Sequence, residues 1–142
     1  MYKPFDPQLN ADNDERGRTA VKQWLASRGF RAEDFLPYEV DLIVKRGSQW
    51  FCFAEVEVRG WEVCQYDTIH IAKRKEKLLK NAMPTYMFVC GNSLQSVYVC
   101  DANRILSSPE IEVRSIHVKT GEMFYDVPKT AFKWFDMTVD PF

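Results

Sequence analysis

The stretch Tyr38–Arg59, YEVDLIVKRGSQWFCFAEVEVR, decides how this chain folds. It reads as two strands, Tyr38–Lys45 and Trp50–Val58, joined by a tight connection over Arg46–Gln49. Both strands alternate with period two. On the first, Val40, Leu42 and Val44 point one way, and Glu39, Asp41, Ile43 and Lys45 the other. On the second, Trp50, Cys52, Ala54, Val56 and Val58 share a face; Phe51, Phe53, Glu55, Glu57 and Arg59 take the opposite one.

Register settles what this pattern means, because a slip of one residue exchanges the two faces of a strand. A two-residue Gly47-Ser48 turn sets the Val40/Leu42/Val44 row beside Glu55 and Glu57, mixing apolar with acidic. A connection of three or five residues instead aligns the apolar rows, and that is the expected register. It places Asp41 beside Glu55, with Glu39 and Glu57 as near neighbours, and leaves Ile43, Phe51 and Phe53 at the other end. Like charges facing one another in a sheet are destabilising. A hard divalent cation is the usual remedy, and Mg²⁺ takes one or two carboxylates together with water and phosphate oxygens. The hairpin therefore predicts a metal site; the plain alternative is a solvated acidic face.

An Asp on one strand followed by Glu55-Val-Glu57 on the next resembles the PD-(D/E)XK nuclease superfamily, in its E-x-E form. The resemblance implies that Asp41 and Glu55 hold Mg²⁺ or Mn²⁺, and that the chain hydrolyses DNA phosphodiesters. Glu57 stands where that superfamily carries a lysine. By the same resemblance Glu57 is a further metal ligand or a general base.

Working outward, Asp12, Asn13 or Asp14 can cap a helix running to Arg28 and stopped by Gly29, with residues 1–13 as an extended arm. Gly17, Ala20, Val21, Trp24 and Leu25 form the stripe of this helix that suits a sheet. Glu15 reads as an exposed residue of its first turn. Phe30–Leu36 shows no strand pattern, although the superfamily has a further core strand there.

After the hairpin, the spacing predicts a helix from Thr68 to Asn81, with Lys75 on its apolar stripe beside Ile71, Leu78 and Leu79. Lys75 is thus the candidate for the lysine missing at position 57. His70, Lys73, Arg74, Lys77 and Lys80 make the one dense basic patch, suited to phosphates or merely solvated. The segment from Trp61 to Lys75 also resembles a block of small phage-encoded proteins.

Thr85–Gly91 reads as a buried strand, Ser96–Cys100 as another, and Asp101–Ser107 as a short helical turn. Ile111–Val118 and Met123–Val127 read as a hairpin turning at Lys119–Glu122. The aromatic tail, residues 129–142, closes either the core or a dimer interface.

The expected fold is α/β (α+β), with a mixed sheet flanked by helices. One domain spans residues 1–142, with a nuclease-like core over Asp14–Gly91 and a β-rich extension over residues 92–142. A net charge of −1 excludes nucleic-acid binding through bulk charge alone, so a local patch has to serve. The absence of a long apolar run or signal-like start predicts a cytoplasmic protein without a membrane partner. Cys52, Cys64, Cys90 and Cys100 form no C-x-x-C pair and read as buried thiols. The resemblance adds a homodimer. The competing expectations are a catalytically lapsed relative that binds nucleic acid, and a viral accessory protein that uses the acidic hairpin as a contact surface.

Overall fold

A computed structural model of the chain describes residues 7–36, 39–59, 66–81, 83–115 and 118–138. The fold is α+β. Helix α1 (Pro7–Ser27) leads into β1 (Arg31–Asp34), β2 (Leu42–Arg46) and β3 (Gln49–Val58), an antiparallel meander. The chain then leaves the sheet for β4 (Thr68–Ala72), a 3-10 turn (Lys73–Lys75) and the short α2 (Glu76–Leu79). It returns as β5 (Thr85–Cys90), parallel to β3. After β6 (Ser96–Asp101) and α3 (Ala102–Leu106), β7 (Glu110–Ser115) and β8 (Val118–Pro128) pair with β4 in a second sheet, ordered β4-β8-β7. Strand β9 (Lys133–Asp136) completes the first sheet, ordered β1-β2-β3-β5-β6-β9.

The first sheet has a core on each face. Val21, Trp24 and Leu25 of α1 cover Leu42, Val44, Cys52, Ala54, Val56 and Phe88. On the opposite face Met87, Val89 and Cys100 meet Ile69 and Ile71 of β4, Leu79, Ile105, Tyr125 and Val127. Helix and strand are close at Gly17, where an added Cβ would lie 2.6 Å from Val58 Cγ2.

The hairpin has the expected register, reached by another route. Gly47 and Ser48 do form a two-residue turn, with Arg46 opposite Gln49 and Gly47 at φ +64°. A bulge then shifts the pairing between Lys45 and Val44, so that Lys45 faces Trp50 while Val44 faces Cys52 and Leu42 faces Ala54. The extra residue exchanges the two aromatics ahead of it. Phe51 packs at a tilt against Phe30, ring centroids 5.0 Å apart, and borders the α1 face together with Val44 and Cys52. Trp50 lies against Phe53 at 6.3 Å, on the face that carries Glu55. Val40 also departs from expectation: it precedes β2 and packs with Ile43 and Phe53 instead of joining Leu42 and Val44.

Four further expectations are corrected. Helix α1 begins at Pro7, a residue suited to a first helical position, so residues 7–13 are not an extended arm, and Glu15 is not in its first turn. A strand does precede β2: Arg31–Asp34 is short and charged, as an edge strand tolerates. The predicted helix over Thr68–Asn81 is mostly strand and 3-10 turn, because Ile69 and Ile71 alternate with Thr68 and His70. Lys119–Glu122 is not the turn of its hairpin; Ser115 pairs with Val118, and Gly121, at φ +74°, sits within β8 near a register shift. The aromatic tail takes the first of its two expected roles and closes the core: β9 pairs with β6, Phe132 is buried, and Phe135 lies 5.1 Å from Trp24, while Phe142 lies outside the described residues.

Cys52, Cys90 and Cys100 are free and buried, and burial pushes their thiols up to about 11, 12 and 11 respectively. Cys64 and Trp61 lie outside the described residues. Among the described residues no helix is long and apolar enough to cross a membrane.

Candidate functional site

The site grows from the point where β2 ends. Residues on β3 alternate in the direction of their amides, and the Val56 amide points toward β2 where that strand has already stopped. The Asp41 side chain fills the gap: Val56 N–H donates to Asp41 Oδ2 at 2.8 Å. In return Asp41 N–H donates to Glu55 Oε1 at 3.1 Å. The two carboxylates are therefore neighbours by construction of the hairpin end.

Glu55 is 4 % exposed, under Lys75. Lys75 Nζ lies 2.8 Å from Glu55 Oε2 and 3.1 Å from Glu57 Oε1. Glu57 Oε2 is 2.8 Å from an Arg59 guanidinium nitrogen, which also donates to the His70 carbonyl on β4. Asp41 and Glu55, then Lys75, Glu57 and Arg59, thus make one file in which a pair of acids is followed by charges of alternating sign. A groove of about 260 Å³ opens at its Arg59 end, bordered by Glu57, His70, Ala72, Arg74, Lys75 and Phe124.

Burial pushes the Glu55 carboxyl up to about 7; Lys75 opposes that shift and the Asp41 charge adds to it. Burial would also raise Glu57, but Arg59 and Lys75 outweigh it and hold Glu57 below the usual carboxylate range. Burial works against the charge on Lys75, yet Glu57 and Glu55 prevail and raise it above an ordinary lysine. Lys75 is consequently a fixed cation at neutral pH, not a base.

The structure brings Asp41, Glu55, Glu57 and Lys75 together. Lys75 arrives from the 3-10 turn after β4, not from the stripe of a long helix. Glu39 is exposed, in a turn whose amide bonds to the Leu36 carbonyl, so the strand that was to align it with the cluster is not there. Glu15 is exposed and borders a different groove, beside Leu94.

The basic patch is largely neutralised. Lys73 pairs with Glu110, Lys80 with Glu76, and Arg74 lies 3.7 Å from Glu122. His70 Nε2 is 3.2 Å from Asp126 Oδ1. Lys77 is exposed and makes no ion pair among the described residues. The resemblance also offered Arg59, beside Lys75, as a charge that offsets the transition state; here, one step further along the Glu55, Glu57 alternation, its guanidinium lies on Glu57 and the His70 carbonyl.

Among the described residues no group of three or more His, Cys, Asp or Glu side chains is arranged to hold a metal ion. Magnesium requires fewer, and the adjoining carboxylates of Asp41 and Glu55 are a fitting hard-oxygen pair. Glu57 does not fit as a third ligand, because Lys75 stands between it and Glu55 and Arg59 engages its other oxygen. Compared with known proteins, the chain matches no family model, no curated protein and no solved structure.

Proposed function

We propose that this chain is a metal-dependent nuclease that hydrolyses DNA phosphodiester bonds, with its lysine supplied by the segment after β4. The observation that carries the reading is the seat of Lys75, 2.8 Å from Glu55 on the strand face that Asp41 adjoins. The chain order supports it: α1, a three-stranded meander, then a crossover to a strand parallel to β3. That order includes the extra strand before Asp41 expected from the PD-(D/E)XK resemblance.

Asp41 and Glu55 would hold Mg²⁺ or Mn²⁺, which when bound polarises the scissile phosphate and acidifies a water. Lys75 stays protonated and offsets the negative charge that builds on the phosphate in the transition state. Lys77, exposed and outside the ion pairs, contacts the backbone phosphates of the DNA, and His70 and Arg74 border the groove beside the cluster. A homodimer that cuts both strands, a cytoplasmic setting and a phage origin belong to the same reading.

One feature favours a second reading, a lapsed relative that binds without cutting: Glu57 occupies the position where the resemblance expects a lysine. Incubation of plasmid and short duplex DNA with the protein and Mg²⁺ or Mn²⁺ separates the two. The nuclease cleaves, and Lys75→Met, which keeps the apolar stem, abolishes cleavage while DNA affinity stays within a few-fold. Salt-sensitive binding with no cleavage would establish the lapsed relative instead.

A further inference from the structure

We infer that Glu57, backed by Arg59, is the positioning partner of Lys75, and neither a metal ligand nor a general base; the inference deepens the nuclease reading and rests on it. A lysine side chain is long and rotates freely, so one carboxylate contact leaves the ammonium room to swing. Lys75 has two contacts, Glu55 at 2.8 Å and Glu57 at 3.1 Å, on residues that point the same way from β3. Residues two apart on a strand are spaced by roughly 6.6 Å, a distance a single ammonium can bridge. Glu57 is itself fixed from the other side by Arg59 at 2.8 Å.

Arg59 adds a second grip on the same segment. Its guanidinium donates to the carbonyl of His70, five residues before Lys75, where β4 runs toward the 3-10 turn. The Glu57–Arg59 pair therefore holds the β4 segment at its backbone and at the tip of Lys75. A metal ion at Glu57 would have to approach between two cations that already hold its oxygens, whereas Glu55 meets one cation and, at its other oxygen, a backbone amide. Glu57 has one oxygen on each of two cations, which also keep it ionised. The lysine and its counter-ion have in effect traded places relative to the E-x-K pattern. The lysine sits at position 75, and the acid sits at 57.

The experiment is a double-mutant cycle with two readouts. Glu57→Gln and Lys75→Met are each made alone and together, and melting is followed without metal. The positioning role expects each single change to lower the melting temperature and the double variant to lose clearly less than the sum of the two, a non-additive cycle. Additive losses would overturn the inference. For Glu57→Gln alone, the expected result is a fall of about tenfold or more in kcat with KM nearly unchanged. Its melting-temperature rise on adding Mn²⁺ should match that of the wild type. Loss of that rise would make Glu57 a metal ligand and sink the proposal. If the wild type cleaves no DNA at all, the nuclease reading fails, and the metal-free melting cycle still decides whether Glu57 holds Lys75.

Discussion

Asp41 and Glu55 exchange hydrogen bonds across the parting of β2 from β3, each carboxylate reaching a backbone amide of the opposite segment. Asp41 N–H meets Glu55 Oε1 at 3.1 Å, and the amide next to Glu55, that of Val56, meets Asp41 Oδ2 at 2.8 Å. These contacts do for the strand ends what ladder hydrogen bonds do further along. They also force two acids together, and Lys75 is the side chain that makes the arrangement tolerable.

Removing that cation should be costly. Lys75→Met leaves Glu55 and Glu57 facing each other in a place where water screens them poorly. Breaking one partner of a buried pair costs on the order of 3 kcal/mol. Urea unfolding should show a loss of about that size at pH 8 and a smaller one at pH 5, where Glu55 takes up a proton. Equal losses at the two pH values would mean that the carboxylates do not repel as described.

Glu55 should imprint a pH dependence on the metal-free protein. Its carboxyl rises from 4.5 to about 7 on folding, so between those values the folded state keeps a proton that the unfolded chain has released. Raising the pH through that window therefore favours unfolding. At ~1.4 kcal/mol per unit the full effect is at most about 3.5 kcal/mol. Glu57 acts in the opposite sense, since it is held below its ordinary value, and its contribution falls away only under more acidic conditions. Denaturant titrations in EDTA from pH 5 to 8 should show stability declining, and Glu55→Gln should flatten the decline.

Asp41→Asn tests the metal assignment. The amide oxygen can still accept from Val56 N–H, while the charge that presses on Glu55 disappears. Thermal melts without metal should be unchanged or slightly higher than wild type. The upward shift produced by Mg²⁺ or Mn²⁺ should vanish. A shift equal to that of the wild type would remove Asp41 from the site.

Gly17→Ala probes how tightly α1 lies on β3. A helical Gly→Ala change ordinarily stabilises by up to about 1 kcal/mol. Here the new methyl would stand 2.6 Å from Val58 Cγ2 and 3.2 Å from Val56 Cγ1. Overpacking of that kind costs about 1–3 kcal/mol, so the net change should be destabilising. A rise in chemical stability would show that helix and strand can separate without loss.

What was legible in the sequence was legible because burial on two sides leaves a periodic trace. The apolar rows of β2 and β3 fixed their own register, and with it the meeting of Asp41 and Glu55. Buried β5 announced itself as an unbroken apolar run. Lys75 was found for an incomplete reason: it does face the sheet, but Ile69 and Ile71 obey a period of two, which a helical reading of the same isoleucines overlooks. Strand β1 was invisible because Arg31, Glu33 and Asp34 carry no apolar row, and only pairing with β2 makes them a strand. The bulge was hidden for a related reason. Pattern reports the register a strand ends in, not the local device that produces it.

That bulge also separates the hairpin's length from its chemistry. The turn alone would have set acids against valines; one surplus residue in β3 cancels the error before the pairing reaches Leu42. Everything ahead of it, from Arg46 to Phe51, can thus lengthen or shorten by a residue and be absorbed there by gaining or losing a bulge. Asp41 and Glu55 would stay in step throughout. Trp50 is the residue that registers the bulge: paired through a three-residue turn without it, the same sequence would put Trp50 on the α1 face beside Cys52 and away from the face of Glu55.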